Sequence, residues 1–395
     1  MSQQLINRSP DLKRLRDDGY EVEVRSQHLL IHSVPYLNHK GEVNQGSLVS
    51  EITLAGDITT KPGTHIVHFT GDHPCQKDGT EIPQIKHGSQ STTLAPDITV
   101  KHSFSNKPLT GYSNYYEKMT RYVEIISAPA SSLNPEVTAK TFKLIVSSAD
   151  DSVFEYFDTS SSRAEITAIS AKLAAHKVGI VGLGGTGAYV LDLIAKTPAK
   201  EIHLFDGDAF LQHNAFRSPG APSAEELEQT PSKVAYFGEL YSKMRRNIVA
   251  HATYIDNSNV DQLKGLDFVF ICVDKGSIRK LIIEALEQLG ISFIDVGMGV
   301  HITDDKLWGV LRVTTSTEGK RDHVRRRIIL SDDDGNNDYV KNIQIADLNS
   351  LNAALAVIKW KKLCGFYQDD ENEYSSTYST NMNLLTSDEA AHEEQ

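Results

Sequence analysis

Lys177-Val178-Gly179-Ile180-Val181-Gly182-Leu183-Gly184-Gly185-Thr186-Gly187 is the stretch on which the fold turns. A short, largely apolar run with three β-branched residues, Val178, Ile180 and Val181, leads into four glycines within six positions, and a helical pattern opens directly behind them. A buried parallel strand that ends in a glycine turn and feeds a helix is the opening of a dinucleotide-type βαβ unit. Gly182, Gly184, Gly185 and Gly187 then serve the tight turn, the approach of backbone to phosphate, and close helix–strand packing. Unpaired N–H groups at the helix start, together with its dipole, favour an anion there. Asp206 follows the next apolar run, Ile202–Phe205, and is placed to accept hydrogen bonds from ribose hydroxyls. The turn alone leaves NAD and ATP both open, and a glycine turn without any nucleotide as well.

Working outward, apolar strands and amphipathic helices alternate on the C-terminal side. Strands are expected at Ile202–Phe205, Ile248–Ile255, Phe268–Val273 and Ser292–Val296, and helices at Ser232–Met244, Ser277–Leu289 and, largely buried, Ala346–Leu363. This alternation predicts an α/β fold, a Rossmann-like, mostly parallel sheet flanked by helices. Residues 1–150 differ in texture, with short alternating runs at Tyr20–Val24 and His65–Phe69 and helical patterns at Pro10–Asp17 and Tyr115–Ile126, which predicts an α+β module. The expected organisation is a module at 1–150 that recognises a partner, a nucleotide domain at 151–367 that a helix at Ala164–His176 introduces, and a flexible acidic tail at 368–395.

Past Asp206 the chain reads Asp206-Gly207-Asp208, then Asn214-Ala215-Phe216-Arg217, then Pro231-Ser232-Lys233-Val234, then Ile271-Cys272-Val273-Asp274. In this order and spacing the segment from Arg163 to Phe366 resembles the adenylation domain of ThiF, MoeB and the ubiquitin-activating enzymes. The resemblance implies ATP-dependent adenylation of a C-terminal carboxylate of a ubiquitin-like or sulfur-carrier protein, with release of pyrophosphate. It assigns Asp206 and Asp208 to the nucleotide, Arg217 and Lys233 to phosphate charge, Asn214 to a neutral donor, and Asp274 to Mg²⁺. Attack of a carboxylate on the α-phosphorus brings two anions together, so positive charge in fixed geometry is what the chemistry requires. It further implies that Arg163 reaches a neighbouring subunit's site, which makes a homodimer the expected working unit. The surrounding arginine-rich pattern of the family is missing at Arg163.

Each of these residues also has a plainer role open to it: surface cations, a turn asparagine, a helix cap. An NAD-dependent oxidoreductase and a non-catalytic Rossmann scaffold remain alternatives, with adenylation of a small molecule or a tRNA base as a nearer variant. The family's paired Cys-x-x-Cys motifs are absent, so no structural zinc is expected; the chain has three cysteines, Cys75, Cys272 and Cys364. Cys272 falls in an apolar strand pattern and Cys364 at a helix end, neither a promising thioester site. The His65, His68, His73, Cys75 and His87 stretch leaves open a metal site, or a Cys75 that receives an activated tail as in a conjugating module. A separate conjugating enzyme is a further partner to expect. A net charge of −12 argues against nucleic acid and anionic membrane surfaces. The one dense basic run, Lys320, Arg321, Arg325, Arg326 and Arg327, reads as a solvated face. No long apolar segment or leader is apparent, and a cytoplasmic, bacterial protein is expected.

Overall fold

The structure is a computed structural model. It describes residues 2–56, 58–143, 145, 152–156, 158, 160–161, 166–332 and 343–389. The chain forms two compact units, Met1–Ala171 and Lys172–Gln395.

The first unit is built on helices α1 (Ser2–Arg8) and α2 (Pro10–Asp17), strands β1 (Val22–Arg25), β2 (His28–Leu37), β3 (Val43–Glu51), β4 (Ile66–Phe69), β5 (Lys86–Gly88) and β6 (His102–Ser105), and helix α3 (Tyr115–Leu133). The strands make one sheet in the order β1-β2-β3-β4-β6-β5, with every pairing antiparallel. Alternation in the sequence sets the pleat: Val67 and Phe69 point into the core while Ile66 and His68 are only half-buried. Leu12 and Leu15 of α2 and Tyr115, Met119, Tyr122 and Ile126 of α3 belong to the same buried cluster. Asp11 ties the helices together, accepting from the Tyr115 N–H at 2.9 Å. Helix α3 runs seven residues past the expected Ile126, through Pro129. Its buried Lys118 donates to Ser50 Oγ at 2.8 Å, and burial drives that ammonium down to about 8.

The second unit contains β7 (Lys177–Val181), α4 (Gly185–Ala195), β8 (Glu201–Phe205), α5 (Lys233–Ser242), β9 (Ile248–His251), β10 (Phe268–Ile271), α6 (Gly276–Gln288), β11 (Ser292–Thr303), β12 (Lys306–Ser316), α7 (Ala346–Leu363), β13 (Ser375–Ser379) and β14 (Leu384–Asp388). The sheet order is β9-β8-β7-β10-β11-β12-β13-β14. From β9 to β11 neighbours are parallel; from β11 onward they are antiparallel. The mostly parallel sheet flanked by helices is the architecture expected from the alternation. Ile180, Leu204 and Phe270 pack with α4 and α7 on one face, and Val181, Phe205, Val269 and Ile271 with α6 on the other. Burial on both faces is why these strands lack polar alternation. No described helix is long and apolar enough to cross a membrane.

Several expectations need correction. Strand β11 continues to Thr303 and pairs with β12 in a long hairpin that the sequence reading did not contain. Strand β9 stops at His251. The described part of the expected Ala164–His176 helix is a short turn at Thr167–Ser170 followed by a 3₁₀ turn at Ala171–Leu173. The segment read as a flexible acidic tail supplies β13 and β14, paired onto β12. Its acidic residues are used as counter-ions: Asp369 and Glu373 meet Lys359 and Lys362 of α7 at 2.8–3.4 Å. The basic run is likewise not simply solvated. Arg325 pairs with Glu287 of α6 at 2.8 Å, and Arg327 pairs at 3.0 Å with Glu389, the residue just after β14.

Candidate active site

The glycine turn follows β7 and ends at the start of α4, as the motif requires. Gly182 has φ +90°, and a Cβ there would lie 2.6 Å from the Cys272 carbonyl oxygen. A Cβ on Gly185 would sit 1.9 Å from Asn349 Nδ2, and one on Gly187 1.9 Å from the Gly182 carbonyl oxygen. Gly184, by contrast, has nothing within 4 Å of that position. It faces a cavity of about 1150 Å³ whose lining also includes Thr186, Asp274, Arg279, Arg312 and Asn352.

Asp206 ends β8 and is buried. Its carboxylate accepts from the Leu183 N–H at 2.6 Å and the Asp208 N–H at 2.9 Å, with Lys233 Nζ at 3.5 Å. It therefore clamps the glycine turn from within, with only one contact on Oδ1. Asp208 is half exposed. It takes Lys233 Nζ at 2.6 Å on one oxygen and the Tyr254 hydroxyl on the other. Burial alone would raise the Asp208 carboxyl, but the hydrogen bonds from Lys233 and Tyr254 outweigh it and hold it below the usual range. The same bond pushes the Tyr254 phenol up to about 12.

Lys233 begins α5, whose N-cap Ser232 accepts from the Ala235 N–H. The ammonium is buried, with the two aspartates as its partners. Asn214 is buried too; its Oδ1 takes the Leu211 N–H at 2.8 Å, which leaves the amide nitrogen as the donor end. Its carbonyl receives the Arg217 N–H at 3.1 Å. Arg217 is half-buried, and its Nε is buried without a hydrogen-bond partner among the described residues. Burial lowers its proton affinity, and the charges of Asp274 and Asp208 oppose that. Asp206 links Lys233 to the glycine turn, and Asp274 lines the same cavity as Gly184. Asp274 is exposed just ahead of α6 and makes no hydrogen bond among the described residues. Arg163 lies outside the described residues.

The structure adds groups that sequence reading missed. Asn349, fully buried on α7, accepts from Thr186 Oγ1 at 2.9 Å and donates to the Arg217 carbonyl at 3.2 Å, so one amide links the glycine loop to the arginine turn. Asn352, one helical turn on, donates to the Gly297 carbonyl at 3.1 Å. Two asparagines spaced three apart on a helix read as largely buried were the available signal.

The cysteines are ill-suited to thioester chemistry. Burial raises all three thiols, Cys364 to about 12, with Cys75 almost wholly buried and donating to the His73 carbonyl at 3.3 Å. Among the described residues no three His, Cys, Asp or Glu side chains are grouped to hold a metal, and His65 and His87 bond serine hydroxyls instead.

A glycine turn at the head of a parallel sheet, with a buried lysine and an open carboxylate close by and an arginine whose Nε has no partner among the described residues, has the architecture of a nucleotide-binding domain. The ThiF family model matches residues 162–390, and the chain belongs to that family. Residues 10–159 match a domain of unknown function (DUF6791). The reading of the glycine turn as an NAD site is set aside accordingly. No curated protein matches the chain. Among solved structures it is similar to the microcin C7 biosynthetic enzyme MccB in complex with N-formylated MccA, at 17% identity over 59% of this chain and 70% of that one, TM-score 0.47. It is also similar to Escherichia coli MccB with ATP, at 18% identity over 57% and 67%, TM-score 0.45. PaaA is a third, at 16% identity over 56% and 75%, TM-score 0.45.

Proposed function

We propose that the chain adenylates the C-terminal carboxylate of a ubiquitin-like or sulfur-carrier protein at the expense of ATP. The observation that carries this reading is the buried Nε of Arg217, which has no hydrogen-bond partner among the described residues and feels the charges of Asp274 and Asp208. A guanidinium desolvated to this extent without a hydrogen-bonded counter-ion suits an incoming phosphate oxygen. Family membership supports the class of reaction.

In this reading the glycine turn and the first N–H groups of α4 receive the phosphates. Asp206 fixes the turn and Asp208 faces the nucleoside. Arg217 and Lys233 offset the negative charge that builds up as the carboxylate oxygen bonds to the α-phosphorus and the bond to pyrophosphate breaks. Asn214 donates a neutral hydrogen bond to the same oxygens. Asp274 is a hard, open oxygen ligand fit for Mg²⁺, which would shield the leaving pyrophosphate when bound. The product is an acyl adenylate. The working unit is a homodimer to which Arg163 contributes in trans, and residues 1–150 recognise the partner.

ATP–pyrophosphate exchange tests this. Exchange that requires a small carrier protein and disappears in Asp274→Ala is the expected result. Exchange driven equally well by free small acids, or none while MgATP stays unbound at millimolar concentration, refutes it.

A further inference from the structure

The cavity wall holds a charged group that the adenylation chemistry leaves unused. Asp295 on β11 is fully buried, and its two oxygens face two guanidinium groups. Arg312 Nη2 donates to Oδ2 at 2.6 Å, while Arg279 Nε lies 2.8 Å from Oδ1 as an ion pair at an angle that makes no hydrogen bond. One carboxylate between two guanidiniums leaves a positive charge in excess. Arg279 directs its Nη groups to the Ile329 and Val273 carbonyls, at 3.1 and 2.5 Å. Arg312 is differently placed: beyond Asp295 it donates to Thr314 Oγ1 at 2.6 Å, and its side chain is 19% exposed on the cavity lining. A guanidinium has five N–H donors, so among the described residues most of this one's capacity is uncommitted. The sequence explains its position. Arg312 stands opposite Gly297 in the hairpin register, and a Cβ on Gly297 would come within 2.8 Å of Nη2.

Asn352 is the second observation, and it is independent of the first. It is fully buried and lines the same cavity; its Nδ2 is used on the Gly297 carbonyl, but its Oδ1 has no hydrogen-bond partner among the described residues. A buried amide oxygen without a donor is unfavourable unless a ligand supplies one. Among the described residues, the neighbourhood of Gly297 therefore offers one unfilled acceptor and several unfilled cationic donors. A phosphate would satisfy Arg312 and leave Asn352 orphaned. A simple monocarboxylic acid brings no N–H. A peptide chain that carries an acidic side chain satisfies both.

We infer that Arg312 and Asn352 form the acceptor subsite, and that the acceptor is a peptide with a carboxylate side chain next to its reacting terminus. The peptide N–H meets Asn352 Oδ1 and the side-chain carboxylate meets Arg312. This rests on the adenylation reading of the same cavity. The test uses two fluorescent hexapeptides, one ending in Glu-Gly and one in Gln-Gly, titrated into the full chain preloaded with magnesium and a non-hydrolysable ATP analogue. Wild type should prefer the acidic peptide by roughly tenfold or more, the worth of a charge-assisted hydrogen bond. Arg312→Gln should abolish the preference. Arg312→Lys, which keeps a counter-charge for Asp295, should retain part of it, and Asn352→Leu should weaken both peptides alike. Equal binding of the two peptides, binding of neither, or an Arg312→Gln effect on nucleotide rather than peptide overturns the assignment. Nucleotide loading is measured first: its failure in wild type removes the adenylation reading itself, whereas tight loading without peptide preference removes only the subsite.

Discussion

Substituting Gly185 by alanine should damage the nucleotide loop through one neighbour, Asn349. The new methyl would fall 1.9 Å from Asn349 Nδ2 and 2.4 Å from its Cγ, far inside van der Waals contact. Asn349 is fully buried, so its side chain has no solvent to retreat into. Moving it breaks the bond from Thr186 Oγ1 and the bond to the Arg217 carbonyl. Two net hydrogen bonds at about 1 kcal/mol each, with about 1 kcal/mol or more of overpacking, put the loss near 3 kcal/mol. Tryptophan fluorescence in urea isolates the effect, because both tryptophans, Trp308 and Trp360, lie in the second unit. Gly184→Ala is the matched control. With nothing within 4 Å of its Cβ and φ at −72°, it should change stability by less than about 0.5 kcal/mol. Because it faces the cavity, it should still weaken MgATP binding. If Gly185→Ala unfolds at the wild-type urea concentration and binds MgATP as tightly, the tie between loop, Asn349 and Arg217 does not matter as argued.

Asp274→Asn should lower pyrophosphate exchange by about a hundredfold or more while leaving the urea midpoint in place, since the carboxylate is exposed and makes no hydrogen bond among the described residues. Lys233→Met should destabilise the second unit by about 3 kcal/mol in the same urea assay, because it leaves Asp206 buried without its cation; an unchanged midpoint would contradict that. Acid should loosen the α7 contact with the Asp369 loop. Burial would raise the Asp369 carboxyl, but Lys359 and Lys362 bring it down to about 2, below its unfolded value. Its contribution is therefore present above about pH 4 and is lost as pH falls towards 2. Urea midpoints measured from pH 5 to pH 2 should show this fall, and Asp369→Asn should flatten it.

The parallel half of the sheet was legible because strands buried on both faces must be continuously apolar, as Phe268–Ile271 is throughout and Lys177–Val181 is after its first residue. The charged site positions were legible through spacing around the glycine turn. What escaped was set by long-range pairing. The β11–β12 hairpin carries Arg312 and Asp295 on an inward face, so its alternation is broken by a buried ion pair. Strands β13 and β14 are polar because they lie at the sheet margin, where β14 is exposed throughout. Asp369 and Glu373 read as tail acidity until Lys359 and Lys362 stand opposite them. The hold of Asp206 on the Leu183 and Asp208 N–H groups was not legible either, because it depends on the fold of the turn.

The Thr186–Asn349 bond spans 163 positions of chain. Strands β7, β8 and β10 can pair early, but the phosphate turn is finished only when helix α7 arrives and docks its amide. Closing so wide a loop is slow compared with local helix formation. Nucleotide affinity should therefore emerge late during refolding, after most of the circular dichroism signal has returned. A fragment ending ahead of residue 346 would keep the glycines and still fail to hold a triphosphate.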